Sequence, residues 1–444
     1  MHRRPKVLVV GSGISGLSSA WHLRHAADVE VFESESRLGG HTHTHEIEVD
    51  GIPGTVDTGF IVFNERTYPE FQPWLQHLGV DIHLADMSFS VSAQGGSFEW
   101  AGHSIRGLFA QPKNLTSPRF WRMLADVLRF NREAPSHLAQ IERGERADST
   151  LASYLRERGY SETFESGYLL PMGGAIWSCP PSQMRSFPFQ SFTRFFVNHG
   201  LLQLMNRPLW FSLRGGSKCY VARLRSLLET ERASVCFRTR HHVQSVSGLS
   251  DGGVRLRGVD QATKQVFERT ADAVVLAGHT NQNAAILASS AHPAWPHLNA
   301  FRYESNSVYL HRDTTLMPRR RAAWAAWNYR AESGSSDSLS VTYWMNQLQD
   351  LPFQSPVLVS LNPATPPRED LTLQTLRYEH PVYDESAFRG RAAALALQGE
   401  QRVWFAGAWT GYGFHEDGFR SGRLAAESLL QALDVVAPSA CKTA

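Results

Sequence analysis

The pattern Gly11-x-Gly13-x-x-Gly16 constrains the fold of this 444-residue chain more than any other feature. Residues 6–10, directly before it, are apolar enough for a buried strand, and a helical pattern covers residues 14–24 directly after it. In such a turn the first glycine permits the tight bend, the second lets a phosphate approach the backbone, and the third lets the helix pack on the strand. With a second strand predicted at residues 29–32, these segments make up a βαβ unit.

Glu33 stands at the end of the second predicted strand, 22 residues after Gly11. A carboxylate at this place accepts hydrogen bonds from a ribose and would repel a ribose 2′-phosphate, which disfavours NADP. The pyrophosphate of a bound dinucleotide would meet the positive end of the first helix, near Ser12, Gly13 and Ser15. A glycine-rich turn without a ligand is the alternative, and the strand, helix and acid around these glycines disfavour it.

A second glycine pair distinguishes between NAD and FAD. The run Arg37-Leu-Gly39-Gly40-His41 follows Glu33 closely, where a nicotinamide dehydrogenase needs no further close approach to its backbone. FAD is longer, and its ribityl chain needs backbone amides at a second place, which Gly39 and Gly40 can supply. The run Gly59-Phe60-Ile61 offers a further place where a glycine could let the chain pass a flat ring. The sequence therefore favours FAD.

A third motif lies near the C-terminus. An apolar strand predicted at residues 402–405 continues through Gly407-Ala408 into the run from Gly411 to Gly422, where we expect a helix to begin near Gly418. A helix N-terminus favours negative charge, and reduced flavin carries such charge around N1 and O2. An ordinary terminal βα unit is the alternative, and it is less favoured beside the two earlier motifs.

Segments typical of nucleotide binding alternate along the chain with segments of a different residue composition. We therefore predict an α/β fold, α+β overall, in which a Rossmann-like FAD-binding domain carries an inserted substrate domain of mixed sheet and helices. The FAD-binding domain would comprise residues 1–85, 215–290 and 396–436, and the substrate domain residues 86–214 and 291–395. Within the first of these, residues 235–258 alternate like antiparallel strands. Residues 437–444 have the composition of a disordered tail.

Composition excludes several classes of protein. The net charge of +2 gives no overall field that would attract nucleic acid. Four cysteines without a CxxC spacing argue against a disulfide scaffold or a zinc ribbon, and they suit a reducing cytoplasm. No run of about 18 apolar residues exists, so we predict no membrane-spanning segment. The expected location is the cytoplasm, with peripheral attachment to the inner membrane as an option.

The runs GSGISGLSSAWHL, VFESESRLGGHTHT, VDTGF and FAGAWTGYGFHEDGFRSG together resemble the flavin-containing amine oxidoreductase and phytoene-desaturase-like superfamily, in segment order along the whole chain. The resemblance implies an FAD site that includes the backbone of Val243 on the adenine side. The complete set it implies is Gly11, Ser12, Gly13, Ser15, Gly16, Glu33, Ser34, Arg37, Gly39, Gly40, His41, Gly59, Phe60, Ile61, Val243, Gly407, Ala408, Asp417, Gly418 and Phe419.

The sequence departs from the amine oxidase pattern in three places. His41 stands where amine oxidases usually have arginine. Ala408 and Trp409 occupy the stretch that often carries a cysteine linked to flavin, so we expect FAD to be bound non-covalently. The lysine that many members place beside the flavin has no clear counterpart. These departures weaken the prediction of amine oxidation in particular.

Three further segments, at residues 171–178, 214–217 and 343–346, are similar to a bacterial branch of the superfamily. That branch is commonly encoded beside cyclopropane-fatty-acid-synthase-like methyltransferases. The resemblance implies a lipid acyl chain as substrate and a methyltransferase as a partner.

Four side chains are candidates for a role in catalysis. His415 and Glu416 lie at the end of the third motif expected to face the flavin, where either could act as a base or could cap the helix. Tyr343 and Trp344 could form aromatic walls at the flavin face.

Three histidines, His41, His43 and His45, alternate and would share one face of a strand. Three imidazoles on one face could bind a metal. No carboxylate or cysteine accompanies them at a known ligand spacing, and they lie in the loop assigned to flavin, so we predict no metal site.

Residues 185–214 combine many aromatic and aliphatic side chains with arginines and contain no acidic residue. Such a segment could lie at a membrane interface, with Phe195, Phe196 and Trp210 inserted and arginines at the level of the head groups. It could equally form the core of the substrate domain, because aromatic side chains bury large areas. The sequence leaves both alternatives open.

The motifs support three hypotheses about function. The leading one is an FAD-dependent oxidoreductase that dehydrogenates or isomerises an apolar substrate, such as the fatty acyl chain of a lipid. An amine oxidase and a non-catalytic flavoprotein partner are the alternatives. Because only one complete glycine motif exists, electrons would come from the substrate and pass to oxygen, a quinone or a carrier.

Overall fold

The computed structural model describes residues 3–203, 205–231, 233–250, 252–331 and 339–435. The predicted tail at 437–444 lies outside these ranges. Over the described residues the chain forms a mixed α/β structure with one parallel sheet and a larger mixed sheet, so the predicted fold class is confirmed. None of the described helices is long and apolar enough to cross a membrane.

The described strands β1 to β20 run, in chain order, over Lys6–Val10, Asp28–Phe32, Thr44–Val49, Ile52–Asp57, Phe63–Asn64, Ile82–Ala85, Phe89–Ala93, Phe98–Ala101, Trp210–Leu213, Val235–Arg238, His241–Gly248, Val254–Asp260, Val266–Ala271, Ala273–Leu276, Tyr303–His311, Trp327–Arg330, Val341–Trp344, Leu358–Leu361, Thr372–Pro381 and Val403–Phe405. The described helices α1 to α15 run over Ile14–Leu23, Phe71–His77, Ile105–Leu108, Pro118–Glu142, Leu151–Glu157, Glu162–Phe164, Leu170–Trp177, Pro181–Ser186, Phe189–Asn198, Lys218–Thr230, Thr280–Leu287, Trp295–Leu298, Met345–Leu348, Glu385–Leu395 and His415–Ala432.

The parallel sheet positions the glycine motifs. Its strands lie in the order β10-β2-β1-β14-β20, and the last residues of β2, β1, β14 and β20 are in register. The chain leaves this edge of the sheet at Gly11, Glu33, Ala277 and Ala406. Since parallel sheets bind ligands outside the carboxyl ends of their strands, these segments from distant parts of the sequence meet at one site.

The prediction of antiparallel strands throughout residues 235–258 is wrong for the first of them. β10 pairs with β2 in parallel and forms an edge of the sheet that carries the glycine motifs. An edge strand covered on one face alternates in polarity just as an antiparallel strand does, so the pattern alone cannot separate the two. β11 and β12 do pair antiparallel, as expected.

Helices α1 and α15 approach each other closely beside this edge. A Cβ on Gly422 would lie 2.2 Å from the carbonyl oxygen of Ser15, and a Cβ on Gly418 would lie 2.6 Å from a methyl carbon of Ile14. The Ser18 hydroxyl donates to the carbonyl of Phe419 at 2.6 Å. The two glycines, one helical turn apart, therefore let the two helices lie with their backbones in near contact.

Helix α15 begins three residues before the expected start near Gly418. The Asp417 carboxylate accepts hydrogen bonds from the backbone amides of Tyr412 and Phe414, at 2.9 and 3.1 Å. This carboxylate satisfies an amide at the helix start, as an acidic residue in the third helical position commonly does. The cap allows the helix to begin at His415.

The second large sheet has seven strands in the order β19-β15-β18-β17-β16-β7-β8, and helices from residues 118–198 pack on it around an aromatic core. Phe195 and Phe196 are 2% and 0% exposed in this core, where both contact Trp177. The prediction that these two side chains insert into a membrane is therefore wrong for the folded protein. For them, the alternative of a substrate-domain core is correct.

Asp57, at the end of β4, joins the parallel-sheet region to the start of α10. Its fully buried carboxylate accepts from the Ser217 amide at 2.8 Å, the Ser217 hydroxyl at 2.7 Å and the Thr44 hydroxyl at 2.5 Å. The side-chain amide of Gln349 donates to it as well, at 2.7 Å. One carboxylate thus satisfies donors from three distant parts of the chain.

We expect Asp57→Ala to lower the free energy of unfolding by about 3 kcal/mol, because several buried donors would lose a charged acceptor. Urea unfolding of the purified variant measures this. The matched control is Glu46→Ala on the same hairpin, whose side chain is 80% exposed and pairs only with the exposed Lys218. Such a surface pair contributes at most about 1 kcal/mol, so equal midpoints for the two variants would contradict the role given to Asp57.

Candidate functional site

A cavity of about 1220 Å³ extends from the carboxyl edge of the parallel sheet into the aromatic core beneath the seven-stranded sheet. Its volume exceeds the roughly 300–1,000 Å³ of an ordinary ligand pocket, so it can hold a dinucleotide and a second molecule. The exposed residues that line it include Glu35 and His242 beside the glycine motif, and Leu84, Arg207 and Leu209 around the strand pair β6 and β9. We call these the adenosine end and the distal mouth.

Fifteen of the residues assigned to FAD from the sequence line this cavity. They are Gly11, Ser12, Gly13, Ser15, Glu33, Ser34, Gly39, Gly40, His41, Gly59, Phe60, Ile61, Val243, Gly407 and Ala408. The structure thus brings together five segments that are separated by as many as 396 positions in the sequence, from Gly11 to Gly407.

The turn around Gly13 leaves an open space in front of helix α1. A Cβ placed on Gly13 would meet no protein atom within 4 Å, although the residue lies at the centre of the motif. No side chain caps the first turn of α1, so its backbone amides remain available to an anion. Gly40 lies on the other side of the turn, with its ideal Cβ 3.1 Å from the Gly13 Cα. Two glycine segments therefore border a place where a pyrophosphate fits.

Glu33 lies beside this turn and is 8% exposed. Its carboxylate accepts from the amide and the hydroxyl of Ser12, at 3.1 and 2.6 Å, and from the amide of Glu35 at 2.9 Å. These contacts fix the carboxylate at the wall of the cavity, between the phosphate turn and the adenosine end. The position suits the ribose-binding role predicted from the sequence.

The remaining five assigned residues, Gly16, Arg37, Asp417, Gly418 and Phe419, support the site from behind and are not part of the cavity wall. A Cβ on Gly16 would lie 1.9 Å from the carbonyl oxygen of Gly11. The Arg37 guanidinium donates to the carbonyl of Thr42 at 3.0 Å. The sequence assigns these five to the FAD site, and in the structure they form the layer directly behind the cavity wall.

Whether FAD fits the cavity can be judged from buried polar atoms that have no hydrogen-bond partner within the protein. On the described residues of the cavity wall, the buried polar atoms without a hydrogen-bond partner include His41 Nε2 and Asn283 Oδ1. Burying such atoms unpaired is costly, and a ligand rich in donors and acceptors would satisfy them. Together with the open space at Gly13, these atoms fit a bound dinucleotide.

Several histidines in the dinucleotide part of the cavity are uncharged. Burial lowers the pKa of His41 and His380 to about 3 and that of His279 to about 4. The His41 ring lies 5.5 Å from the His279 ring and 5.6 Å from the His380 ring, between ring centroids. No group of three or more histidine, cysteine or acidic side chains among the described residues has a geometry suited to a metal ion.

The four catalytic candidates have different surroundings. His415 lines the cavity, but its ring stacks on Phe60 at 3.6 Å and its Nε2 lies 3.2 Å from the Thr42 hydroxyl. Burial keeps its pKa well below the ordinary value, so it is neutral. Tyr343 also lines the cavity, whereas Trp344 packs edge-on against Trp324 and is not part of the wall.

Glu416 does not reach the cavity. Its carboxylate accepts from the backbone amides of Glu70 and Phe71, at 3.1 and 2.9 Å, and so caps helix α2. The sequence left two roles open for this residue, base and helix cap, and the structure shows the cap. Glu416 belongs to α15, whereas the helix that it caps is α2. The proposed base role lacks geometric support.

The sequence missed several residues of the cavity wall. His199, on the turn after α9, lines the part beneath the seven-stranded sheet and stacks on Phe195 at 3.8 Å. Gly278 and His279, which follow β14, line the dinucleotide part. A signal existed for the second pair, since a glycine directly after a buried strand is typical of such sites, but none existed for His199.

A parallel sheet with glycine turns at its carboxyl edge, combined with a second sheet that walls off a further cavity, is the architecture of a dinucleotide-dependent enzyme. The chain belongs to the family of flavin-containing amine oxidoreductases, whose family model matches residues 14–430. The predicted superfamily, the cofactor FAD and the assignment as an oxidoreductase are thereby confirmed.

One curated relative is tryptophan 2-monooxygenase of Allorhizobium ampelinum, 32% identical over 111 residues. That alignment covers 23% of this chain and only 15% of the relative's length. Among solved structures, cyclohexylamine oxidase from Brevibacterium oxydans has a TM-score of 0.62 and 17% identity, over 97% of this chain and 100% of that one. A fatty acid isomerase from P. acnes that produces CLA has a TM-score of 0.63 and 12% identity, over 97% and 99%. These structures share the fold.

We expect the flavin to leave the polypeptide intact when the holoenzyme is denatured with acid or heat. None of the described cysteines lines the cavity, so no thiol is in place for a covalent link. The measurement is the visible absorbance of the supernatant and of the precipitated protein. Colour that stays with the precipitate would contradict non-covalent binding, and peptide mapping at His41 and His43 would then locate the link.

Proposed function

We propose that this protein is an FAD-dependent enzyme that dehydrogenates or isomerises a long apolar substrate, a lipid acyl chain. The observation that carries the proposal is the composition of the inner cavity wall. On its helical side the wall includes Met172, Ile176, Trp177, Phe195 and Leu201, and on the sheet side Val308, Trp327, Tyr343, Val359 and Leu361. A wall of this kind gains free energy from burying hydrocarbon, by about 25 cal/mol for each Å².

The acids of the cavity wall lie away from this inner part. Glu33 and Glu35 are at the adenosine end, and Asp86 and Glu379 are exposed. Both oxygens of Asp86 already accept hydrogen bonds from Ser88. A substrate ammonium buried between the sheet and the helices would find no carboxylate among the described residues there. Burying an unpaired charge is costly, so the wall favours an uncharged chain.

His199 is the proton acceptor in this proposal. Its ring lies 5.5 Å from the ring of Phe414, which directly precedes α15, so His199 stands where the inner cavity meets the third motif. Its Nδ1 is 3.0 Å from the carbonyl of Phe195, and burial lowers its pKa to about 4. A neutral ring that donates through Nδ1 has an unprotonated Nε2, which can accept a proton from a substrate carbon.

These positions give the cofactor and the side chains separate roles in the reaction. Bound FAD supplies a two-electron acceptor for a hydride taken from carbon. The aromatic walls orient the chain and exclude water, and His199 takes the proton from the neighbouring carbon, so that one double bond forms. Repeated dehydrogenation then needs an external oxidant such as oxygen or a quinone, whereas isomerisation, in which the hydride returns to the chain, needs none.

Two of the solved structures with this fold are enzymes named for different substrates, a fatty acid and an amine. The fatty acid isomerase shares the fold over nearly the full chain, and it supports acyl chemistry on this scaffold. The cyclohexylamine oxidase shares it equally well, and the aromatic wall formed by Trp177, Trp327 and Tyr343 could hold a cation through ring faces. Amine oxidation is therefore the second candidate.

The two candidates are separated by incubating the holoenzyme without oxygen with monounsaturated fatty acids or phospholipids, and in parallel with alkylamines of equal chain length. We expect acyl lipids to bleach the oxidised flavin or to undergo a shift of their double bond, which mass spectrometry of the products detects. Bleaching by the alkylamines alone would overturn the proposal in favour of amine oxidation. No change with either class would point to a non-catalytic flavoprotein.

A further inference from the structure

The wall of the cavity carries a single arginine. Among the described residues that line it, Arg207 at the distal mouth is the only lysine or arginine. The histidines deeper in the cavity are neutral, because burial lowers the pKa values of His199 and His279 to about 4. Arg207 is therefore the fixed positive charge that a molecule inside this cavity meets.

Arg207 forms no ion pair with a carboxylate of the described residues. Its Nε donates to the backbone carbonyl of Gln203 at 2.9 Å. The carboxylates of Asp86 and Glu65 form their hydrogen bonds with neutral donors and not with Arg207. Asp86 accepts from Ser88, and Glu65 accepts from the amide of Leu209 at 2.9 Å.

A second arginine stabilises the turn that carries Arg207. Arg66 donates to the side chains of Gln203 and Asn206, at 3.3 and 3.0 Å. Burial raises the pKa of the Tyr168 hydroxyl to about 12, and the positive charge of Arg207 opposes that rise. Tyr168 is buried and lines the cavity. The guanidinium thus lies at the boundary between solvent and the apolar interior.

Apolar side chains surround this charge on the outside. Leu84 and Leu209 line the mouth and are 58% and 56% exposed, and the neighbouring Met205 is 85% exposed. The mouth therefore combines one positive charge with apolar surface that continues into the cavity. It matches a molecule with a negative head and one long chain.

We propose that Arg207 binds the anionic head group, a carboxylate or a phosphate, of the lipid whose acyl chain enters the inner cavity. This inference rests on the proposed function, because it assigns the other end of the same substrate. A guanidinium can bind either group through two parallel hydrogen bonds. Fixing the head group at the mouth would determine which carbon of the chain reaches the flavin.

The test measures binding of three single-chain ligands of equal chain length to the holoenzyme: a fatty acid, a lysophosphatidic acid and the uncharged fatty alcohol. Binding is followed by calorimetry and by changes in the visible spectrum of the flavin. We expect the wild-type enzyme to prefer at least one anion over the alcohol by about 10- to 100-fold, the range for hydrogen bonds to a charged group. Preference for the carboxylate indicates a free fatty acid, and preference for the phosphate a phospholipid.

Arg207→Gln should remove that preference and leave the affinity for the alcohol unchanged, while Arg207→Lys should keep part of it. Arg207 is exposed, so neither variant should affect folding. The control is Arg132→Gln on α4, where the side chain is 80% exposed and outside the cavity wall. Equal binding of anions and alcohol by the wild type, or equal losses for all ligands in Arg207→Gln, would overturn the head-group site alone. Failure of all three ligands to bind the wild type would overturn the proposed acyl substrate as well.

Discussion

Gly13→Val should fold normally and yet purify without flavin. A Cβ on this residue would meet no protein atom within 4 Å, so the folded chain has room for a side chain to start there. The same space is where the pyrophosphate must approach helix α1, and a branched side chain would occupy it. We expect at least about a hundredfold loss of FAD affinity, equivalent to about 2.7 kcal/mol, and the loss of all flavin-dependent activity.

The matched control for this variant is Gly248→Val, at the end of β11. Its Cβ would also meet nothing within 4 Å, and its backbone is likewise not in the left-handed region. The two variants should have the same thermal stability as apoproteins, and only the first should lack colour. A yellow Gly13→Val with stoichiometric FAD would overturn the assignment of this turn to the pyrophosphate.

Replacement of His199 should have the next largest effect. If its Nε2 takes the substrate proton, His199→Gln should lower the turnover of the acyl substrate by about 10²- to 10⁴-fold, with unchanged flavin content. The pH profile gives a second readout. Because burial lowers the pKa to about 4, the ring is an active base above that pH, and the rate should fall as the pH falls towards about 4.

His199→Gln should abolish this acidic limb as well as the rate. The control is His25→Gln, whose side chain is 48% exposed and contacts Glu231 on the surface. It should retain both the rate and the limb. A His199 variant with wild-type turnover on an acyl substrate would remove this residue from the chemistry, without affecting the assignment of the cavity.

The dinucleotide part of the site could be predicted because its requirements are local. The tight turn after the strand needs a glycine at position 11, where φ is +102°, and the phosphate needs the bare backbone of Gly13. Both requirements can therefore be recognised as glycines in the sequence. Glu33 follows for the same reason, since β1 and β2 are neighbours in the chain and in the sheet. The fold class and the cofactor follow from these residues.

The substrate part could not be predicted in this way. His199, Trp177 and Arg207 come together only because α7 and the turn after α9 pack under the seven-stranded sheet, and no spacing in the sequence encodes that packing. For Glu416, in contrast, the sequence suggested a role at the site that its position in the structure does not support. Its position in the third motif suggested a role at the flavin, yet its carboxylate is turned towards α2, which comes from a distant part of the chain.

The order of strands in the parallel sheet also governs when the cofactor can be held during biosynthesis. Gly407 and the start of α15 border the same cavity as Gly11, but they are among the last described elements to leave the ribosome. A nascent chain that has already made β1, β2 and β14 still lacks one side of the flavin site. The complete flavin site therefore exists only after this motif has been made, and a bound flavin marks a molecule whose synthesis has reached at least this motif.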